Sequence, residues 1–410
     1  MRRLLVLVLA LSMTSCGGDD SSGPDNANQL VVGGLLSLAG PGRTLGQTSE
    51  SALQLAADAL NAQLSADGSP TRVSLRIQDT GLDPALALER IRALAEEGVK
   101  IFVGPQSSSE VLALKAFADS AEVVVLSQGS TASSLSVPDD NVFRLVPDDS
   151  HEGEAMVAVM QGDGIQTVVP LWREDAGNQG LHDAVERLFE QAGGTVTAGA
   201  SYAPGTTEFS TQLAAIRSEI EAAVAQDGAA TVAVYFAAFE ESAAAIFAAA
   251  SADPTFSQVR WYGGDGIVQS ALVLADPDAA AFAAATEFRA PTYGLDDQLL
   301  QDNADLIGAI EARTGLPADA FTLAAYDALH VAALAYAEVG LGSIADYRSE
   351  LLRQADEYTG ATGATDLNPN GDRAVGDYDF YRVCAGAPAT WQRVSAYRAG
   401  AGDVVSVGGC

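Results

Sequence analysis

The feature that most constrains this chain is an alternation of short apolar segments with longer segments rich in alanine and leucine. In a first series the pattern predicts strands at residues 30–37, 73–79, 101–103 and 123–127, and helices at residues 48–63, 84–97 and 108–120. Strands and helices that alternate in this way form βαβ units with parallel strands. The first third of the chain is therefore predicted to fold as an α/β unit.

The same alternation begins again after residue 147. It predicts helices at residues 151–161, 178–191, 211–225 and 241–250, and strands at residues 167–172, 196–202, 231–236 and 259–262. Helices are then predicted at residues 298–314 and 318–339, and a β-rich end at residues 378–383 and 391–397. We predict an α/β protein of two lobes, one formed by residues 30–145 and 292–362, the other by residues 146–291 and 363–410. Several connecting strands would act as a hinge.

The first residues have the pattern of a bacterial lipoprotein signal. Arg2 and Arg3 precede a short apolar run, and small residues precede Cys16. We expect residues 1–15 to be removed, Cys16 to carry the lipid, and residues 16–29 to form a flexible tether. Simple secretion is the alternative. The predicted location is the periplasm or the outer cell-surface side, since no later segment stays apolar long enough to cross a membrane.

The charge of the chain excludes some partners. Its formal net charge is −32, from 54 acidic and 22 basic residues. Such a protein repels nucleic acid and anionic lipid, so the acyl anchor is the expected membrane contact.

Cys384 and Cys410 remain after Cys16 is assigned to lipid. An oxidising compartment permits a disulfide between them, but the sequence leaves open whether they come within bonding distance.

The segment from residue 101 to residue 111 carries the strongest functional signal. A strand ends at Gly104, and Ser107 begins a helix with Glu110 three residues later, which is the pattern of a capping box. The free N–H groups of a first helical turn, with hydroxyls beside them, suit a carboxylate. The alternative is that Ser107 only caps its own helix.

Loops that follow the predicted strands differ between the two halves. Hydroxyls and glycines dominate the first half, at residues 37–41, 104–108 and 127–131, whereas acids and aromatics dominate the second half, at residues 172–177, 237–240 and 263–266. Ligands of doubly wound sheets bind beyond the carboxyl ends of the strands. We therefore predict a cleft with anion-binding donors on one wall and an ammonium-binding carboxylate on the other, suited to an amino acid or a similar zwitterion.

Four segments occur in the order found in a known family: residues 34–41 (GLLSLAGP), 79–84 (DTGLDP), 103–109 (VGPQSSS) and 366–372 (DLNPNGD). With them the chain resembles, over residues 30–397, the type I periplasmic solute-binding proteins of the branched-chain amino acid (Leu/Ile/Val-binding-like) ABC-transporter group. The resemblance implies two Rossmann-like lobes, three hinge crossings and a ligand enclosed when the lobes close. It also implies delivery of that ligand to the permease and ATPase subunits of an importer.

The resemblance also implies roles for individual residues. Ser108, with Ser107 beside it, would bind the ligand carboxylate together with the backbone of Gly129 and the hydroxyl of Thr131. In the second lobe the implied ligand-binding residues are Asp265, which would pair with the α-ammonium group, and Phe239, which would form an aromatic wall. Asp265 has an alternative interpretation as a solvated residue of an ordinary Gly-Gly-Asp-Gly turn.

Two positions depart from the family pattern. Leu45 and Gly177 stand where the family often has aromatic side chains, so the resemblance implies a roomier or differently shaped pocket. Trp172 either compensates for them or packs at the end of its strand.

A calcium site is a weak candidate, because Asp366, Asn368, Asn370, Asp372 and Asp377 have the spacing of EF-hand ligands. Position 12 is Asp and not the usual bidentate Glu, so a hairpin turn is the favoured interpretation. Three histidines, His151, His182 and His330, show no metal-ligand spacing in the sequence, and we expect no metal and no cofactor. The acid pairs at residues 139–140, 148–149 and 296–297 are interpreted as solvated loop acids.

No catalytic motif is recognisable in the sequence, and we expect a binding protein and not an enzyme. The predicted function is that of a monomeric, lipid-anchored solute receptor of an ABC importer. The alternative is an exported ligand sensor or envelope interaction module on the same fold, without transport.

Overall fold

The computed structural model describes residues 29–40 and 42–410. The predicted signal, Cys16 and all of the predicted tether except Gln29 lie outside the described residues. Gln29 is the first residue of the first strand.

The first sheet is built from parallel strands with helices between them. Its elements are β1 (Gln29–Leu36), α1 (Arg43–Ala66), β2 (Arg72–Asp79), α2 (Pro84–Glu96), β3 (Ile101–Val103), α3 (Ser108–Ala121), β4 (Val124–Ser127) and β5 (Val142–Arg144). The strand order is β2-β1-β3-β4-β5. Strands β1, β3 and β4 are almost wholly buried, as expected of a parallel sheet covered on both faces.

The second series of elements forms most of a second sheet. It comprises α4 (Asp149–Gly162), β6 (Thr167–Arg173), α5 (Ala176–Gln191), β7 (Thr195–Val196), β8 (Ala200–Tyr202), α6 (Ser210–Asp227), β9 (Val232–Ala237), α7 (Glu240–Ala250), α8 (Pro254–Ser257), β10 (Arg260–Gly263), α9 (Ala271–Ala275), α10 (Pro277–Ala285) and β11 (Arg289–Tyr293). The predicted strand at residues 196–202 is divided into β7 and β8. Gly199, with φ of 63°, lies at the break.

The chain then returns to the first lobe before it ends in the second. Helices α11 (Asp297–Asp302), α12 (Ala304–Thr314), α13 (Ala320–Val339) and α14 (Ile344–Glu357) are followed by β12 (Thr359–Gly360), β13 (Gly363–Ala364), β14 (Tyr378–Cys384), β15 (Thr390–Arg398) and β16 (Asp403–Ser406). Helix α13 packs on α1, where the Thr48 and Thr322 hydroxyl oxygens are 2.7 Å apart. Strands β14, β15 and β16 extend the second sheet, whose order is β16-β15-β14-β11-β10-β9-β6-β7, with β8 beside β6.

The chain therefore passes between the two sheets three times, after β5, after β11 and after β13. Two of these crossings contact each other: the Arg144 N–H donates to the Gly371 carbonyl at 2.9 Å, and the Arg373 N–H donates to the Arg144 carbonyl at 2.9 Å. This architecture confirms the predicted fold class, two α/β lobes connected by several strands.

Helix α13 is long and apolar enough to cross a membrane by length and composition, but 72% of its apolar window is buried inside the protein. The burial marks it as the central helix of the first lobe, against α1 and α14. The C-terminal tail is held by a disulfide between Cys384, at the end of β14, and Cys410, with Cα atoms 5.3 Å apart.

Candidate functional site

A cavity of about 310 Å³ lies between the two lobes. Loops from the carboxyl ends of strands in both sheets line it, as expected for doubly wound sheets. All eight residues that the sequence predicted as ligand contacts line this one cavity: Leu45, Ser107, Ser108, Gly129, Thr131, Gly177, Phe239 and Asp265. The structure therefore places the donor side and the acid side of the predicted site around a shared space.

Ser107 forms a capping box with Glu110. The Glu110 N–H donates to the Ser107 hydroxyl oxygen at 3.3 Å, and the Ser107 N–H donates to the Glu110 carboxylate at 3.1 Å. The Ser107 hydroxyl donates to the same carboxylate at 2.6 Å. Burial raises the pKa of Glu110, opposed by its hydrogen bonds to Ser107. The side chain of Ser107 thus serves its own helix, although the residue also lines the cavity.

Ser108 organises the neighbouring loop. Its hydroxyl oxygen accepts hydrogen bonds from the backbone N–H groups of Thr131, at 3.2 Å, and Ala132, at 3.1 Å, and from the Ser130 hydroxyl at 3.1 Å. A serine hydroxyl has two lone pairs and one proton, so its acceptor capacity is filled and only the proton is left for a ligand. The backbone N–H groups of Ser108 and Ser109 have no acceptor within the described part of the chain. Together these donors form an anion-binding end at the start of α3.

Asp265 is on the opposite lobe, directly after β10. Its backbone N–H donates to the Glu152 carboxylate at 3.1 Å. The pKa of Asp265 is raised to about 6, chiefly by burial and in smaller part by the charge of Asp319. The pKa of Glu152 is raised well above its ordinary value, first by burial and then by the charges of Asp265 and Asp149. Asp265 therefore lines the cavity from the turn that follows β10.

Asp149 is a cavity residue that the sequence analysis missed. It is 1% exposed, and among the described residues neither carboxylate oxygen makes a hydrogen bond of normal geometry. Its pKa is raised to about 8, chiefly by burial and in smaller part by the charge of Asp265, against the opposing effect of the Thr131 side chain. The interpretation of residues 148–149 as solvated acids is wrong, because α5 covers the start of α4: a Cβ on Gly180 would be 2.7 Å from Asp149 Oδ2. Asp140 is also buried, at 7% exposure, beside Lys115.

Phe239 is held in position by a cation–π contact. The Arg173 guanidinium carbon lies 4.9 Å from the centroid of its ring, and Arg173 also pairs with Asp175 at 3.0 Å. Asp175 in turn caps α5 by accepting from the N–H groups of Gly177 and Asn178. This chain of contacts couples the aromatic wall to the start of α5.

The two lobes touch beside the cavity. The Ala176 N–H, at the start of α5, donates to the Ser109 hydroxyl of α3 at 3.2 Å. A Cβ on Gly177 would lie 3.7 Å from the Ser108 hydroxyl oxygen, so the missing side chain leaves the two helix starts close together. Trp172 is not part of the cavity wall that the described residues form. It stacks on His182, with ring centroids 3.9 Å apart, and therefore packs at its strand end.

Among the described residues, the charged side chains of the cavity wall are all carboxylates. The acids that line it are Asp149, Asp175, Glu240, Glu241, Asp265 and Asp319, and no Lys, Arg or His among the described residues lines it. Glu240 and Glu241 come shortly after strand β9, at the start of α7, so the rule on strand ends could have identified them from the sequence. Asp319 could not be found in this way, since it comes from the return segment before α13.

The weak calcium candidate does not form a ligand cluster. Asp372 pairs with the buried Arg144 at 2.5 Å, and Asp377 accepts from the Ala399 N–H at 2.9 Å. Asn370 donates to the Ser136 hydroxyl, and the Asn368 side chain accepts from two backbone N–H groups of its own turn. Asp366 joins no group of metal-binding side chains among the described residues. The sequence spacing of the three histidines indicated no metal ligands. In the structure, however, His182, Asp183 and Glu186 on α5 bring potential ligand atoms within 4.8 Å of one another.

Comparison with known proteins gives the family. Residues 29–388 match the family model described as periplasmic binding protein. The chain belongs to the periplasmic binding protein family. It is 28% identical over 375 residues to an uncharacterised protein of Methanocaldococcus jannaschii, covering 87% of each chain. It is 23% identical over 359 residues to a Leu/Ile/Val-binding protein of Rhizobium johnstonii, covering 87% of this chain and 92% of that protein.

The solved structures agree on the fold. The crystal structure of a leucine-binding protein from Thermotoga maritima matches with a TM-score of 0.73 and 18% identity, covering 92% of this chain and 99% of the other. The family resemblance and the type I periplasmic binding fold are thereby confirmed. Proteins of this family bind small ligands outside the cytoplasm and work with ABC-transporter components.

Proposed function

We propose that this protein is the solute receptor of an ABC importer and that it encloses an amino acid, or a similar small zwitterion, between its lobes. The observation that carries the proposal is that the donor-rich start of α3 and the carboxylate of Asp265 line the same cavity from opposite lobes. A dipolar guest satisfies both walls at once, and charge-assisted hydrogen bonds are the strongest polar contacts available there.

The size of the cavity supports a small guest. Its volume, about 310 Å³, is near the lower end of the roughly 300–1,000 Å³ typical of small-molecule sites. In this proposal the N–H groups of α3, the Ser108 hydroxyl and the loop of Gly129 and Thr131 hold the carboxylate. Asp265 holds the α-ammonium group, and Phe239 covers the aliphatic part.

The interlobe contact supports capture by closure. The hydrogen bond from the Ala176 N–H to the Ser109 hydroxyl joins the two lobes beside the cavity, in addition to the three chain crossings that connect the two sheets. In the proposal residues 30–145 and 292–362 move against residues 146–291 and 363–410, and a bound guest favours the closed arrangement. Cys16 would anchor a monomer to the membrane beside its permease and ATPase subunits.

A thermal-shift screen tests the proposal. A guest that binds only the native protein stabilises it by about 2.7 kcal/mol at a hundredfold excess over Kd. Each amino acid that shifts the melting temperature is compared with its decarboxylated amine and its deaminated acid. We expect only the intact amino acid to give the full shift. The proposal is wrong if no amino acid binds, or if an analogue with one charged end binds as tightly.

A further inference from the structure

The cavity wall has far more acid than a zwitterion needs. Six carboxylates line it, and no basic side chain among the described residues does. A zwitterion carries one ammonium group, which Asp265 alone could pair. The excess is informative because a buried carboxylate without a partner costs free energy.

Three of the six carboxylates already make hydrogen bonds or ion pairs within the protein. Asp175 caps α5 and pairs with Arg173, and Asp319 caps α13 by accepting from the N–H of Thr322 at 2.8 Å. Glu240 accepts from the Ser270 hydroxyl at 3.2 Å. These three acids have partners within the protein.

The other three are Asp149, Asp265 and Glu241. Asp149 is 1% exposed, and among the described residues neither of its carboxylate oxygens makes a hydrogen bond of normal geometry, although the Thr131 side chain is near enough to favour its charged form. The Oε2 atom of Glu241 is also buried without a partner. Asp149 and Asp265 interact electrostatically with each other, so they belong to one pole of the cavity. Glu241 is in the first turn of α7, on a different element, and forms a second acceptor beside Glu240.

An anion-binding end lies on the donor side of the cavity. The start of α3 has free N–H groups, whereas the first N–H groups of α5 are occupied by Ser109 and Asp175. The anion-binding end at α3 and the two separate acid positions match a guest with one carboxylate and two cationic groups.

We propose that the guest is a basic amino acid whose second cationic group, an ammonium or a guanidinium, is bound by Glu241. Asp149 and Asp265 together face the α-ammonium group. This inference rests on the proposed function and names the ligand class within it.

Titration calorimetry with paired ligands tests the inference. Arginine is compared with citrulline, which has nearly the same shape without the side-chain charge, and lysine with norleucine. For the wild type we expect the charged member of each pair to bind at least about tenfold more tightly, as one charge-assisted hydrogen bond would give. In Glu241→Gln this preference should fall by about tenfold, while the affinity for citrulline changes little. Glu208→Gln, at an exposed acid of the second lobe outside the cavity, is the matched control and should behave as the wild type.

The outcomes separate the two proposals. If citrulline and norleucine bind as tightly as arginine and lysine, or if Glu241→Gln keeps the full preference, the inference is wrong and the proposed function stands. If no amino acid binds, charged or neutral, the proposed function itself fails. Agmatine, which lacks the carboxylate of arginine, should bind weakly. Agmatine binding equal to that of arginine would contradict the assignment of α3 as the carboxylate site.

Discussion

Asp265→Asn should stabilise the ligand-free protein and abolish binding of amine-bearing ligands. The asparagine amide keeps the shape of the side chain and can still accept the Gly266 N–H, but it carries no charge. The acids that face Asp265 are Glu152 and Asp149 on α4 and Asp319 before α13, and Tyr235 and Tyr378 are buried beside the same group. Among the described residues no cation shifts the pKa of Asp265, so the free protein contains a carboxyl group whose charged form burial disfavours.

The magnitude follows from the pKa of Asp265, which burial raises from 3.8 to about 6. This difference corresponds to about 3 kcal/mol, since one pKa unit is about 1.4 kcal/mol. An acid whose folded pKa is raised binds more protons in the folded state. Its contribution is therefore most favourable below pH 3.8 and is lost as the pH rises through about 6. We expect Asp265→Asn to gain up to about 3 kcal/mol at pH 8 and almost nothing at pH 4.

Urea unfolding at pH 4, 6 and 8 measures the stability change, and calorimetry with the amino acids found in the screen measures binding. Glu208→Gln serves again as the exposed control. The reasoning is refuted if Asp265→Asn is no more stable than the wild type at pH 8, or if its gain is the same at pH 4. Undiminished affinity for amine-bearing ligands would separately refute the role of Asp265 in binding.

Three further changes test the frame around the site. Arg144→Met leaves Asp372, which is 1% exposed, buried without its cation, and should cost about 3–5 kcal/mol in chemical denaturation; a loss below about 1 kcal/mol would show that the pair is not needed. Gly104→Ala should lower the free energy of unfolding by more than about 1–3 kcal/mol, because φ is +89° and the new Cβ would lie 2.0 Å from the Leu35 carbonyl oxygen. Gly162→Ala is the control and should be neutral or stabilising, because no atom lies within 4 Å of its new Cβ. Equal effects of the two substitutions would contradict the argument. Cys410→Ser should speed hydrogen exchange in Asp403–Ser406, whose residues are all exposed, while global stability falls by less than about 3 kcal/mol; unchanged exchange there would mean that the disulfide does not hold the tail.

Strong local patterns made most elements of the fold predictable. Strand β3 and the start of α3 are where the sequence placed them, because an apolar run, a glycine and a capping box act within a few residues of one another. Strands β5 and β11 and helix α14 were not predicted. β5 has only three residues, and β11 follows directly on α10 without a distinctive turn. The predicted helix at residues 298–314 is interrupted at Asn303, whose side chain donates to the Ala361 carbonyl, a contact 58 residues away.

The sequence by itself determined the two α/β lobes and the loops that face each other, because hydrophobic periodicity and helix caps depend on neighbours along the chain. Only the tertiary structure decided which acids are buried. Residues 148 and 149 look alike in the sequence, yet Asp148 caps α4 while Asp149 lines the cavity under α5 without a hydrogen bond of normal geometry to its carboxylate among the described residues. The pKa of a carboxyl group depends on the water and charges around it. The charges around Asp149 include that of Asp265, and those around Asp265 include that of Asp319, both far away in the chain. The charge of the cavity, and with it the class of ligand, is therefore a property of the folded protein.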